Sequence, residues 1–172
     1  DVFSKGDAYF NTGDLVRNIG FRHAQFVDRL GDTFRWKGEN VSTTEVENML
    51  TEYDKIVEAV VYGVEIPNTN GRAGMAAITL KPEVELNDAD LAAMAACFKK
   101  CLPAYAVPVF LRIQQQVETT GTFKYQKNKL KEQAFDPSKT DERLLVLLPG
   151  ATAYSELTAE VFSNIQAYQY RF

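Results

Sequence analysis

Arg72 stands between Gly71 and Gly74 in the run Pro67-Asn68-Thr69-Asn70-Gly71-Arg72-Ala73-Gly74. Flanking glycines let an anion approach the backbone closely, so this arginine is a candidate phosphate contact, with a plain surface arginine as the alternative. Lys124, Lys127, Lys129 and Lys131 form a basic cluster, which composition alone reads as a solvated face. Asp14 follows Gly13 where a strand end runs into a turn, and by itself reads as a solvated turn carboxylate. Cys97 and Cys101 are spaced i, i+4 on an expected helix, but no His or further Cys lies near enough to complete a metal set. They are expected as free thiols, which points to the cytoplasm. The lone His23 reads as surface.

These residues need a scaffold, and the chain spells out most of it. Ser42-Thr43-Thr44-Glu45 has the spacing of a capping box. Behind it Val46, Met49, Leu50 and Tyr53 recur at i, i+3, i+4 and i+7, which predicts a helix with one apolar face. Ile56–Tyr62 and Met75–Leu80 read as two strands joined by a long turn-rich loop. Asn87 to Asp90 caps a second helix whose core stripe is Leu91, Met94, Ala95, Phe98 and Leu102, and Pro103 stops it. Val109 to Ile113 reads as a third strand. In the tail Leu144 to Leu148 reads as strand, and Ser155 to Ala167 as a capped amphipathic helix.

At 172 residues with 45% hydrophobic content the chain can bury a real core. No run approaches the roughly 18 apolar residues that a membrane span needs. A net charge of −4 and a pI near 5.1 argue against a nucleic-acid binder.

The stretch Asp28 to Glu47 resembles the junction between the large and small domains of adenylate-forming enzymes, G-R-x-[D/K]-D-x-I-K-x-x-G-x-R-I-x-x-x-E-I-E. Arg29, Asp32, Gly38, Glu45 and Glu47 match, while Phe34, Arg35, Val41 and Val46 are conservative replacements. Asp28 stands for the first Gly, Gly31 for the hinge Asp or Lys, and Asn40 for an Arg. Tyr9-Phe10-Asn11-Thr12-Gly13-Asp14 resembles the family's Y-x-x-T-G-D. Leu102-Pro103-Ala104-Tyr105-Ala106-Val107-Pro108 resembles its proline-framed connection, and Thr120, Lys124 and Leu130 fall on its T-x-x-G-K-x-x-R-x-x-L. Lys127 takes the place of the Arg there, and Phe123 that of the Gly. The Gly hinge, Phe123 and the long tail are similar to the fatty acid transport protein and very-long-chain acyl-CoA synthetase branch.

The resemblance implies an α+β fold: a short hairpin near Phe34 to Trp36 and a central, mostly antiparallel sheet flanked by helices. Residues 1–30 would end a large adenylation domain, 31–134 would form the mobile C-terminal domain and 135–172 an extension. It implies ATP, Mg²⁺ and CoA as substrates and cofactors, with the metal held mainly by groups outside these residues. Lys124 would be the catalytic cation, Asp14 and Arg29 would hold the ribose, and Gly31 and Asp32 would form the hinge. Trp36, Gly38 and Arg72 would face CoA. The partners implied are the adenylation domain of the same polypeptide, a fatty acid, ATP and CoA, with no nucleic acid; the full-length protein would associate peripherally with membrane. Because the family's phosphate-binding loop is absent, a fragment inactive alone is expected. The competing readings are another adenylate-forming ligase and a non-catalytic α+β interaction module.

Overall fold

Two runs rich in β-branched and small residues set up the sheet. The computed structural model describes residues 5, 6, 8, 14–29, 33–114 and 123–172, with the backbone alone at 14, 15, 26–29 and 123–126. Because β-branched side chains are stiff and pack well on a pleated surface, Ile56–Val64 and Ala73–Leu80 extend as strands. Numbering elements in chain order, these are β5 and β6, paired antiparallel with Val61 opposite Ala76 and Gly63 opposite Gly74. Strand β7, Phe110–Gln114, lies parallel to β6, with Met75 opposite Phe110. A parallel neighbour needs a crossover, and helix α2, Asp88–Cys101, lies between them in the chain. Its first turn carries the expected capping box, Asn87 and Asp90 each accepting from the other's amide. Leu91, Met94, Ala95 and Phe98 bury its stripe, as the spacing predicts.

The tail belongs to the same sheet. Strand β8, Arg143–Val146, pairs antiparallel with β7, and the short β9, Ser155–Glu156, pairs with β8, giving the order β5-β6-β7-β8-β9. The sheet is therefore mixed, with one parallel pair among antiparallel ones. The helix expected over Ser155 to Ala167 is shorter: Ser155 and Glu156 are strand, Leu157 is buried, Thr158 caps, and α4 runs Ala159–Gln166. The edge of β8 offered the Ser155 region a ladder, so the helix starts only at the next residue able to cap. Aromatic packing fastens this end: Phe110 stacks on Phe135 with ring centroids 4.2 Å apart, and Phe172 reaches Phe110 at 6.2 Å. Buried Arg112 on β7 pairs with Glu142 and donates to Thr140 Oγ1 at 2.9 Å, linking the sheet to the approach to β8.

Two hairpins precede the sheet. Strands β1 and β2, Asp14–Gly20 and His23–Arg29, pair antiparallel. Strands β3 and β4, Thr33–Trp36 and Glu39–Ser42, pair with Trp36 opposite Glu39. Lys37 and Gly38 between them both have positive φ, 52° and 88°, the pattern of the type I′ turn that suits strand twist. Ser42 then caps helix α1, Thr43–Thr51, accepting from the Glu45 amide at 3.3 Å. Helix α3, Phe123–Gln133, lies between β7 and β8 in the chain.

The hairpin β3–β4 seats on the sheet through Phe34. A β-carbon on Gly63 would meet Phe34 Cβ at 2.7 Å, and one on Gly74 would meet Phe34 Cζ at 3.2 Å. The cross-strand pair Gly63 and Gly74 thus leaves a slot that a phenyl ring fills.

Candidate functional site

The loop between β5 and β6 and the hairpin β3–β4 meet along one edge. The Arg72 amide donates to the Arg35 carbonyl at 2.7 Å, and Trp36 forms a bridge with Gly71. The three residues expected to face CoA are thereby brought together: Trp36 in β3, Gly38 in its turn, and Arg72 beside them. Trp36 is 3% exposed and mainly a core residue, with Lys37 Nζ 5.8 Å from its ring centroid. It also lines a groove of about 520 Å³ with Lys37, Lys99, Val107 and Phe172. A β-carbon on Gly38 would meet open space. The Arg72 side chain bonds Glu65 Oε1 through Nη2 at 3.2 Å and is 58% exposed. Such a surface pair contributes little, so the guanidinium can exchange Glu65 for an anion at small cost. Arg72 borders a second groove of about 680 Å³, shared with Lys139, Asp136 and Gln166.

Lys124 lies in the first turn of α3, a turn that holds no acidic residue. Unpaired amides at a helix N-terminus carry partial positive charge, so a lysine there is better tolerated when an anion arrives. One turn on, Lys127 departs from a solvated face. Its ammonium lies 3.3 Å from Glu47 Oε1 and 3.5 Å from Thr43 Oγ1, both on α1, and its side chain is 16% exposed. Glu47 Oε1 also accepts the Val61 amide at 2.8 Å. Sequence reading assigned neither residue a partner; the opposite charges were visible, but not which of four lysines would meet which acid.

Asp14 and Arg29, the expected ribose contacts, face each other as the first pair of the β1–β2 ladder. Asp14 heads a strand and does not sit in a turn. The hinge residues Gly31 and Asp32 lie outside the described residues. Cys97 and Cys101 are free, and burial, then its neighbour Cys101, pushes the Cys97 thiol up. Among the described residues no group of three or more His, Cys, Asp or Glu is placed to hold a metal. No helix among them is long and apolar enough to cross a membrane.

Residues 45–124, from the first turn of α1 to Lys124, match the family described as the AMP-binding enzyme C-terminal domain. Residues 45–124 carry the signature of an AMP-binding enzyme C-terminal domain. The chain is 50% identical over 167 residues to long-chain fatty acid transport protein 6 of Mus musculus, covering 97% of this chain and 26% of that protein. It is 47% identical over 160 residues to the medium/long-chain-fatty-acid–CoA ligase FadD6 of Mycobacterium tuberculosis, covering 93% and 26%. The chain spans about a quarter of the length of these relatives. Among solved structures, the anthranilate CoA ligase AuaEII in complex with anthranoyl-AMP superposes with a TM-score of 0.61 at 26% identity, covering 72% of this chain and 24% of that one. Among the described residues the architecture is α+β, a mixed five-stranded sheet with four helices and two small hairpins, and most of it superposes on the corresponding part of that ligase.

Proposed function

We propose that this chain is the C-terminal portion of an ATP-dependent fatty-acid–CoA ligase acting on long or very long acyl chains. What carries the reading is its likeness, over nearly all its length, to a fatty acid transport protein and a fatty-acid–CoA ligase. In the first half-reaction a carboxylate oxygen of the fatty acid attacks the α-phosphorus of ATP and pyrophosphate leaves. Negative charge gathers on the α-phosphate and carboxylate oxygens, and a cation held there stabilises it. Lys124, in a helix turn without acids, is our choice for that cation. Asp14 and Arg29 hold the ribose; a carboxylate can accept from two vicinal hydroxyls at once.

In the second half-reaction the CoA thiolate attacks the acyl carbon and AMP departs. The domain turns about Gly31 and Asp32, withdraws α3 and presents the hairpin at Gly38 to the pantetheine arm. The location of Lys124 and Gly38 on separate elements, α3 and the β3–β4 turn, supports a rotation that exchanges one for the other. The remainder of the polypeptide supplies the adenylation domain, the Mg²⁺ site and the acyl tunnel. The assembled enzyme works on the cytoplasmic side, in contact with a membrane that supplies its apolar substrate.

The test is Lys124→Ala in the full-length polypeptide, with the half-reactions followed separately in single turnovers. Adenylate formation is expected to slow by a factor on the order of 10² to 10³, the scale of losing one preorganised donor. Thioester formation from supplied acyl-adenylate is expected to stay near the parent rate. Lys131→Ala, which removes an exposed lysine from the last turn of α3, is the charge control. Lys127 cannot serve as one, because its ammonium is committed to Glu47. Equal slowing of both half-reactions by Lys124→Ala, or a larger effect of Lys131→Ala, sinks the assignment.

A further inference from the structure

One carboxylate oxygen joins three elements. Glu47 Oε1, on α1, accepts the outward amide of Val61 at 2.8 Å and lies 3.3 Å from the ammonium of Lys127 on α3. Strand β5 is the edge of the sheet, so the Val61 amide has no ladder partner on that side, and Glu47 satisfies it. Lys127 in turn neutralises a carboxylate that is 22% exposed, and reaches Thr43 one helical turn earlier on the same face of α1. Removing the lysine would take from this half-buried carboxylate the cation that ties it to α3.

The position of this tether along α3 matters. Leu130 is the buried apolar anchor among the described side chains of α3, and Lys124 lies six residues before it, about 9 Å along the axis. A tilt of about 10° about Leu130 would carry the Lys124 backbone by roughly 1.5 Å, estimated from that rise. Lys127, halfway between, resists such a tilt.

We propose that Lys127 is a positioning residue: by pairing with Glu47 across the edge of β5, it fixes the first turn of α3 and so the placement of Lys124 at the α-phosphate. The proposal rests on the assignment of Lys124 above. A misplacement of about 1 Å can cost a reacting group as much as 10²-fold, so the effect belongs to the half-reaction that uses Lys124.

The experiment is a double-mutant cycle in the full-length polypeptide, read in both half-reactions. Lys127→Met keeps the stem and removes the charge. It is expected to slow adenylate formation by about 10-fold to 10²-fold, while thioester formation from supplied adenylate stays within about 2-fold, the scatter expected of independent sites. Lys127→Arg, which can still meet the carboxylate, is expected to restore adenylation to within a few-fold. In a Lys124→Ala background Lys127→Met is expected to add almost nothing, since it acts only through the lysine already removed. Additive losses, or equal losses in both half-reactions, overturn the positioning role and leave Lys127 a general support of the fold. If Lys127→Met does not fold, Glu47→Gln, which retains an acceptor for Val61 while discharging the pair, is put through the same cycle with the same outcomes. Should Lys124→Ala itself leave adenylation untouched, the reading of Lys124 fails and this inference with it. A slow Lys124→Ala beside a fast Lys127→Met defeats this inference alone.

Discussion

The amide of Arg72 donates to the carbonyl oxygen of Arg35 at 2.7 Å, and Gly71, at φ +93°, lies so close that a β-carbon on it would overlap that same oxygen. The contact welds the β5–β6 loop to the β3–β4 hairpin. Gly71→Ala combines a left-handed backbone with that overlap and is expected to cost about 2 to 3 kcal/mol. Gly150→Ala, at φ +78° with nothing within 4 Å, bears the backbone cost alone, about 1 kcal/mol. Urea denaturation midpoints decide it: equal losses would mean that the hairpin seat yields at no cost.

Tyr154, fully buried, donates its hydroxyl to the Pro108 carbonyl at 2.7 Å and ties the tail to the approach to β7. Burial pushes its phenol far above the ordinary range. A folded-state pKa above the unfolded one stabilises at lower pH and loses that contribution as pH rises past the unfolded value near 10. Tyr154→Phe is expected to cost about 1 to 2 kcal/mol at neutral pH by orphaning the carbonyl. It should also make the alkaline loss of stability shallower, and unchanged alkaline profiles would contradict the assignment.

Asp90 accepts from the Lys55 ammonium at 2.5 Å and from the Asn87 amide at 3.2 Å, and these bonds, the lysine's first, hold its carboxyl below the usual aspartate range. The depressed folded-state pKa contributes stability above the unfolded value near 4, and that contribution disappears as pH falls through the folded value. Asp90→Asn is expected to flatten the acid side of a thermal-midpoint profile between about pH 5 and pH 3, the span bounding that transition. Parallel profiles for the parent and the variant would remove Asp90 from the acid response.

Gly31 is proposed as the pivot, because a residue without a β-carbon absorbs the largest changes in φ and ψ. Gly31→Pro in the full-length polypeptide is expected to trap one arrangement and suppress one half-reaction, whichever the fixed φ disfavours. Parent rates in both would place the pivot elsewhere.

Where the interactions were local, the amino-acid sequence alone determined the outcome. The stripe Leu91, Met94, Ala95 and Phe98 with Asn87 ahead of it and Pro103 behind it became α2 as read, because caps, period and stop all lie within one segment. The readings of the Asp28-to-Glu47 junction and of the stretch around Lys124 rest on another kind of signal, spacings that match a family pattern. Partners distant in the chain were a different matter. That β7 runs parallel to β6, that β8 and β9 complete the sheet, and that Ser155 takes strand and shortens α4 follow from an edge only the folded sheet exposes. The slot formed by Gly63 and Gly74 exists only once their strands are in register. Likewise four lysines of one type differ solely in their neighbours, and it took the edge of β5, 14 residues from Glu47, and a helix 80 residues further on to set Lys127 against that carboxylate. Pairing between distant residues depends on how their elements pack, and one-dimensional spacing carries no record of that.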